Sequence, residues 1–260
     1  MGATPSGAYR ANAFVLAGSL VGAIARTVPE HGSVLAAHTA RVLMWDLDLR
    51  RDVNPGDQVA VVWRVTDDVE VGAVTYAGAA SKTTVRAFRF QAPGDPTASY
   101  WDENGREVAR RLERSPLRSY DQITALLKDR PTHKGMDFKT AVGTPVFAPR
   151  TAVVTRANWK TRGNGNCLEL RYADGVVAKF LHLSKVEVKP GQNVREGTIV
   201  ARTGNTGRST APHLHYQLSR GATTLDPIAY HGTLRRQLPA ASMTAFRAHV
   251  KAMEALQPKP

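Results

Sequence analysis

The chain has almost no sulfur chemistry to offer. One cysteine, Cys167, stands among 260 residues, so no disulfide forms within the chain and no zinc-finger spacing exists. Its setting, Asn166-Cys167-Leu168-Glu169-Leu170, reads as a strand in which a thiol is simply a small core side chain. Long apolar runs are also missing. The longest candidate, Ala11 to Ala25, imitates a signal peptide behind Arg10 but is too short to span a bilayer as a helix. No Gly-x-Ser-x-Gly elbow occurs, and Cys167 has no adjacent motif, so a serine or cysteine nucleophile is not favoured. No His-Glu-x-x-His occurs either, which removes a glutamate base of the helical zinc-peptidase kind. Internal repeats, low-complexity tracts, RNA-binding aromatic signatures and long basic runs are all absent.

What is present is a globular composition with a strong positive balance. Hydrophobic residues make up 42%, and 35 Lys and Arg stand against 22 Asp and Glu, a net charge of +13. That charge suits polyanionic surroundings and equally suits a solvated, arginine-rich surface. The length allows one or two domains with a sizeable core.

The chemistry concentrates around Pro212-His213-Leu214-His215-Tyr216. Leu214, Tyr216 and Leu218 alternate with His213, His215 and Gln217, the period of a half-buried strand. Side chains at i and i+2 of a strand share a face, roughly 6–7 Å apart. Upstream lies His133-Lys134-Gly135-Met136-Asp137, where positions i and i+4 also share a face. Two imidazoles, one carboxylate and a vacant fourth position form the ligand set of a hydrolytic zinc site. His182, in Phe180-Leu181-His182-Leu183-Ser184, is a further candidate. Either motif alone is weak, because His-x-His and His-x-x-x-Asp recur by chance in strands.

The frame around them is specific. Gly143-Thr144-Pro145-Val146-Phe147-Ala148 follows Asp137, Pro190 to Gly197 follows His182, and Gly204 to Pro212 leads into the histidine pair. From about Thr132 to Ile228 the chain resembles the LytM/lysostaphin-type zinc metallopeptidases, which cut peptidoglycan peptides. The resemblance implies one zinc per chain, with His133, Asp137 and His215 as ligands. It implies that His182 and His213 serve proton transfer and oxyanion stabilisation. Two departures stand out. The stretch Ser119 to Thr132 is short, and Leu126-Leu127-Lys128-Asp129-Arg130-Pro131 lacks the glycine and histidine usual before the first ligand. Ala152 stands where the family often has a glycine.

The rest of the chain falls into order around that core. Ala11 to Ala25 is read as a buried helix, with Phe14 or Leu16, Leu20 and Ile24 at helical spacing, and Ser33 is placed as the cap of a second helix ending at Trp45. Gln58 to Phe90 alternates as strands. From Ser19 through Asp57 the chain resembles the middle domain of Gram-negative LytM-type endopeptidases. In the catalytic part the strands are 145–148, 152–157, 167–172, 176–181, 198–202 and 213–218, with Asn164-Gly165 and Asp174-Gly175 as hairpin turns. Met243, Phe246, Val250, Met253 and Leu256 mark an amphipathic C-terminal helix. His31, His38 and His231 have no partner motif and are assigned to the surface.

The fold expected is α+β and mainly β. Residues 1–114 are an accessory domain of a helix pair and a small sheet. Residues 115–230 are an antiparallel zinc-peptidase domain with a groove, and 231–260 are a tail whose helix packs on the body. The function expected is hydrolysis of peptidoglycan cross-links at the D-alanyl–diaminopimelate bond, by a monomer in the periplasm or outside the cell. Its partners are peptidoglycan peptides and, electrostatically, an anionic envelope, with no transmembrane segment and no specific nucleic acid. The export signal is then either trimmed or replaced by another route. A non-catalytic LytM-like activator of other wall hydrolases is the alternative, and a basic nucleic-acid binder with incidental histidines is the third reading.

Overall fold

The computed structural model describes residues 7–95, 97–127, 129 and 132–258. The chain divides into two compact units. One combines Met1–Arg110 with Arg235–Pro260, and the other is Arg111–Leu234.

The first unit opens with strand β1 (Arg10–Val15), followed by helices α1 (Leu20–Thr27) and α2 (Gly32–Leu43). Strands β2 (Gln58–Val65), β3 (Val69–Ala77), β4 (Thr84–Phe90) and β5 (Ser99–Trp101) complete it as an antiparallel meander, ordered β1 to β5 among the described residues. The helix expected over Ala11 to Ala25 is therefore wrong in its first half. Phe14 is buried between exposed Ala13 and exposed Val15, as alternation along a strand places it, and β1 pairs with β2 along its whole length. The helix starts at Ser19, whose hydroxyl accepts from the Gly22 amide and so caps it. Helix α2 starts one residue earlier than its expected cap, behind His31, which lies edge-on to Trp63. His31 and His38 are half-buried rather than surface residues.

The second unit carries the short β6 (Arg111–Leu112) and then β7 (Gln122–Ala125), β8 (Met136–Lys139), β9 (Pro145–Phe147) and β10 (Ala152–Ala157). A helical turn, α3 (Thr161–Asn164), leads to β11 (Asn166–Tyr172), β12 (Val177–Leu183), β13 (Lys185–Val186), β14 (Asn193–Val194) and β15 (Ile199–Arg202). The unit ends with β16 (His213–Arg220), β17 (Thr223–Leu225), α4 (Pro227–His231) and β18 (Thr233–Leu234). Its main antiparallel sheet runs β14-β10-β11-β12-β16-β8-β7, with β17 also on β16. Strands β13, β15 and β9 make a smaller sheet, and β18 pairs with β6. The strands expected from alternation are all present. Asp174-Gly175 turns the β11–β12 hairpin with Gly175 at φ 81°, whereas Asn164-Gly165 closes α3 instead of a tight hairpin.

Strand β16 sits inside the main sheet, so its Leu214, Tyr216 and Leu218 are fully buried. Tyr216 hydrogen-bonds Tyr172 (3.1 Å) and the Nε2 of His231 (2.8 Å). His231, assigned above to the surface, is thus a buried residue of α4, a helix set by the Asp226 cap and Pro227 in its first turn. Burial pushes His231 down to about 4, and the charges of Arg150 and Arg114 act in the same direction.

The helix α5 (Met243–Leu256) closes the chain and belongs with the first unit. Its Phe246 and Met253 are buried with Val62, Ala73, Phe88 and Trp101. Strand β3 also meets α2, so Val71, Ala73 and Val74 are all buried although they are near neighbours in sequence.

Two outcomes follow. Phe246→Ala removes a ring that is fully buried, and the first unit should lose about 3–5 kcal/mol. Trp45, Trp63 and Trp101 lie in that unit, so denaturant unfolding followed by tryptophan fluorescence reads it; a loss under ~1 kcal/mol would mean α5 is not part of its core. For His231 the folded pKa lies below the ordinary 6.5, so the native state binds fewer protons between about 4 and 6.5. Stability then rises with pH across that window and is lost as pH falls through it. His231→Gln should flatten the difference between unfolding midpoints at pH 4 and pH 7; an unchanged difference would show that another group carries it.

Candidate metal centre

Three neighbouring strands aim the side chains. Strand β16 pairs with β8 on one side and β12 on the other, and His215 stands opposite both Asp137 and Leu181. His213 stands opposite Lys139, two residues along on the same face as His215. His133 lies just before β8 and His182 near the end of β12. All five residues singled out in the sequence are brought together. The rings of His133 and His215 have centroids 5.1 Å apart, those of His182 and His213 4.7 Å, and those of His182 and His215 6.3 Å.

Asp137 is the hub. His215 Nδ1 lies 2.7 Å from its Oδ1 and His133 Nε2 lies 3.1 Å from its Oδ2. His213 Nε2 stays at 4.0 Å. Burial alone would raise the Asp137 carboxyl, but hydrogen bonds and charge from His133 and His215 overcome it and hold the group well below the usual carboxylate range.

His133, Asp137 and His215 each offer a donor atom, and these lie within 4.8 Å of one another. Ligands at zinc bond lengths of about 2.0–2.2 Å in a tetrahedron stand about 3.4 Å apart, so around an ion the two Asp137 contacts, at 2.7 and 3.1 Å, would open and the widest separation would close. The hydrogen-bond pattern fits a cation too. His133 Nδ1 donates to the Leu126 carbonyl at 2.8 Å, which leaves Nε2 as the lone-pair nitrogen facing the carboxylate. Two imidazoles and one ionised carboxylate suit zinc, with a position left for water.

The other two histidines are held differently. His182 Nδ1 donates to the Thr206 carbonyl at 2.9 Å. His213 Nδ1 lies 2.8 Å from the Ala211 carbonyl and 3.0 Å from Ser209 Oγ. The Ser209 hydroxyl itself donates to Ala211, so its lone pair is free to accept from His213. Both imidazoles therefore keep Nε2 for other work. Burial lowers the pKa of His182, helped by His213 and His215 and opposed by the Thr206 hydrogen bond. It is a neutral base at ordinary pH.

His182 reaches the site through a defect in the sheet. Between the Asn166–Leu183 and Leu168–Phe180 pairs, β12 carries one residue more than β11, a β-bulge. His182 sits in it at φ 63°, a left-handed conformation costly for any residue with a Cβ. The bulge turns its ring to the site. Sequence reasoning ended this strand at residue 181 and missed the bulge; it also missed Thr206, Ser209 and the Leu126 carbonyl. The first two lie inside the Gly204 to Pro212 stretch, which was the available signal. Of the short loop before His133, Lys128, Arg130 and Pro131 lie outside the described residues. Ala152 is buried as the first residue of β10.

Gly135 is part of the same construction. A Cβ there would overlap the Tyr216 carbonyl oxygen and come within 2.8 Å of His215 Nε2. Gly135→Ala should displace the His215 ring and weaken zinc binding on the order of 10- to 100-fold. Competition against a chromophoric chelator measures this, with circular dichroism as the fold control. An unaltered affinity would show that the His215 ring does not need the space Gly135 leaves.

Residues 131–227 match peptidase family M23. The chain is 31% identical over 196 residues to the peptidoglycan DD-endopeptidase ShyC of Vibrio cholerae, covering 68% of this chain and 43% of that protein. It is 41% identical over 103 residues to lysostaphin of Staphylococcus simulans, covering 38% of this chain and 21% of that one. It thus spans less than half the length of these two curated relatives. A solved zinc-containing peptidase from Vibrio cholerae overlaps 86% of this chain and 71% of its own, at 27% identity and a TM-score of 0.41. The segment that matches holds His133, Asp137, His182, His213 and His215, and through it the chain belongs to peptidase family M23.

Proposed function

We propose that this chain is a zinc-dependent endopeptidase that hydrolyses peptide cross-links of bacterial peptidoglycan. The observation that carries the reading is the His133–Asp137–His215 donor set, with two further imidazoles beside it and no fourth donor grouped with it among the described residues. Relatives named as DD-endopeptidases favour the D-alanyl–diaminopimelate bond as the one cut, and an extracytoplasmic place of action. The net charge of +13 suits work against an anionic envelope.

The chain's residues divide the work. His133, Asp137 and His215 would hold zinc, which lowers the pKa of a water to about 7 and polarises the scissile carbonyl. The Leu126 carbonyl orients His133, and the β8–β16 pairing fixes His215 against Asp137. His182, neutral through burial, presents Nε2 to take a proton from the attacking water and return one to the departing amine. His213, braced at Nδ1 by Ser209 and Ala211, would stabilise the developing oxyanion. The second reading, a non-catalytic activator of other hydrolases, loses weight because all five side chains are present and converge.

Four single variants separate the roles. His133→Ala and His215→Ala should lose zinc and, with it, activity on purified sacculi. His182→Ala and His213→Ala should keep near-stoichiometric zinc while turnover falls by a factor on the order of 10² or more. Zinc lost from His213→Ala but kept in His215→Ala would reverse the assignment of the pair. Mass spectrometry of released muropeptides identifies the bond, and intact sacculi after treatment with zinc-loaded protein would sink the endopeptidase reading.

A further inference from the structure

A recess of about 650 Å³ is lined by Lys160, Thr161, Arg162, Gly163, Asn164 and Arg208. It carries three cations and no acidic residue. All three are exposed, and among the described residues none has a carboxylate partner within ion-pair distance. Elsewhere in this unit exposed arginines do find acids: Arg156 meets Glu169, Arg202 meets Glu187 and Arg220 meets Asp174.

The recess is built by chain that also reaches the centre. Two loops build it, 158–165 and 204–208, and they interlock. The Arg208 amide donates to the Gly163 carbonyl at 2.9 Å, and the Asn166 amide donates to Thr206 Oγ1 at 2.9 Å. A Cβ on Gly165 would overlap Thr206, and one on Gly207 would overlap the Gly165 amide, so the loops touch backbone to backbone. Asn158 and Lys160 both take left-handed backbone conformations, at φ 52° and 49°. The same stretch holds the proton-transfer residues. Thr206 accepts from His182 and Ser209 contacts His213, with Arg208 between them in sequence. The loop that lines the recess through Arg208 is therefore the loop that braces those histidines.

We propose that Lys160, Arg162 and Arg208 form a subsite for a carboxylate carried by the same peptide whose bond is cut. The inference rests on the endopeptidase reading and specifies its substrate. A diaminopimelate acylated at one amino group keeps a free carboxylate on the carbon that bears that nitrogen. A peptide cut at this centre then carries an anionic group near its scissile amide, and cations on the loop that braces His182 and His213 are the groups that would take it. Guanidinium groups suit a planar carboxylate, because their paired N–H donors match its two oxygens.

The test uses two synthetic cross-linked peptides that differ only in that group, carboxylate against carboxamide. Binding is measured by calorimetry on metal-free protein and cleavage on zinc-loaded protein. The carboxylate peptide should bind and be cut roughly three- to tenfold better, the range for partly exposed charge pairs acting together. That ratio should shrink as salt rises from about 50 to about 500 mM. In Arg162→Gln/Arg208→Gln it should fall to about one, with Lys160→Gln giving a smaller drop; circular dichroism and zinc content monitor the fold. A ratio near one in the unaltered protein, or a ratio that survives the double substitution, overturns the subsite. Equal competition by inorganic phosphate and a simple carboxylate, salt for salt, overturns it too, since attraction would then be unspecific. If neither peptide is cut but the carboxylate is bound preferentially and the double variant abolishes that preference, the endopeptidase reading falls and the subsite stands.

Discussion

Asp137 faces His215 across the β8–β16 ladder, and this one register fixes the site. Side chains alternate along a strand, so a slip of one residue in either strand would send the carboxylate and the imidazole to opposite faces of the sheet. The register is held by what lies on the buried face. Leu214 and Tyr216 of β16 and Met136 and Phe138 of β8 are fully buried, and a one-residue slip would turn them out of that core. The apolar half of each strand therefore enforces the position of the polar half. Tyr216 does so twice, because its hydroxyl is also tied to Tyr172 and His231 on the far side. Moving β16 would cost apolar burial and leave those polar atoms unpaired.

The remaining site residues cannot be placed by a regular ladder, and irregular backbone supplies them. The bulge on β12 delivers His182 at the cost of a left-handed residue. The loop 204–212 then locks both non-ligand histidines from one side, through Thr206, Ser209 and Ala211. Thr206 Oγ1 also donates to the Leu183 carbonyl and accepts from the Asn166 amide, so the loop is bonded to the very strands that carry the bulge. Strain at His182 persists because these bonds over-determine its position. Preorganisation of this kind leaves the imidazoles little rearrangement to make on meeting a ligand.

Much of this was legible in the sequence, and the pattern of what was not is physical. Alternation over His213 to Leu218 announced β16 because one of its faces is buried and the other polar. The donor residues were legible because their spacings survive in strands. The first strand was misread because its partner makes it a strand: Phe14, Leu16, Leu20 and Ile24 also sit at helical spacing, and only pairing with β2 decides between the periods. His231 was misread because the groups that pair with it or shift its charge, Tyr216, Arg150 and Arg114, lie far from it in sequence. The bulge left no trace either, since a left-handed histidine is selected by tertiary contacts and not by local propensity.

Histidines that share a chemical type end in different roles here, and environment alone separates them. His133 and His215 meet a carboxylate at hydrogen-bond distance, so positive charge placed between them is stabilised. His182 meets a peptide carbonyl at Nδ1 and otherwise burial and other imidazoles, which favour the neutral ring. His213 sits between these settings, too far from Asp137 to hydrogen-bond it and braced by Ser209 instead. Asp137 thus sorts the four rings by distance: the two it touches suit a cation, and the two it does not touch keep a nitrogen for protons. A carboxylate displaced by one residue would erase that distinction, which is why the register of β8 on β16 governs the chemistry as well as the fold.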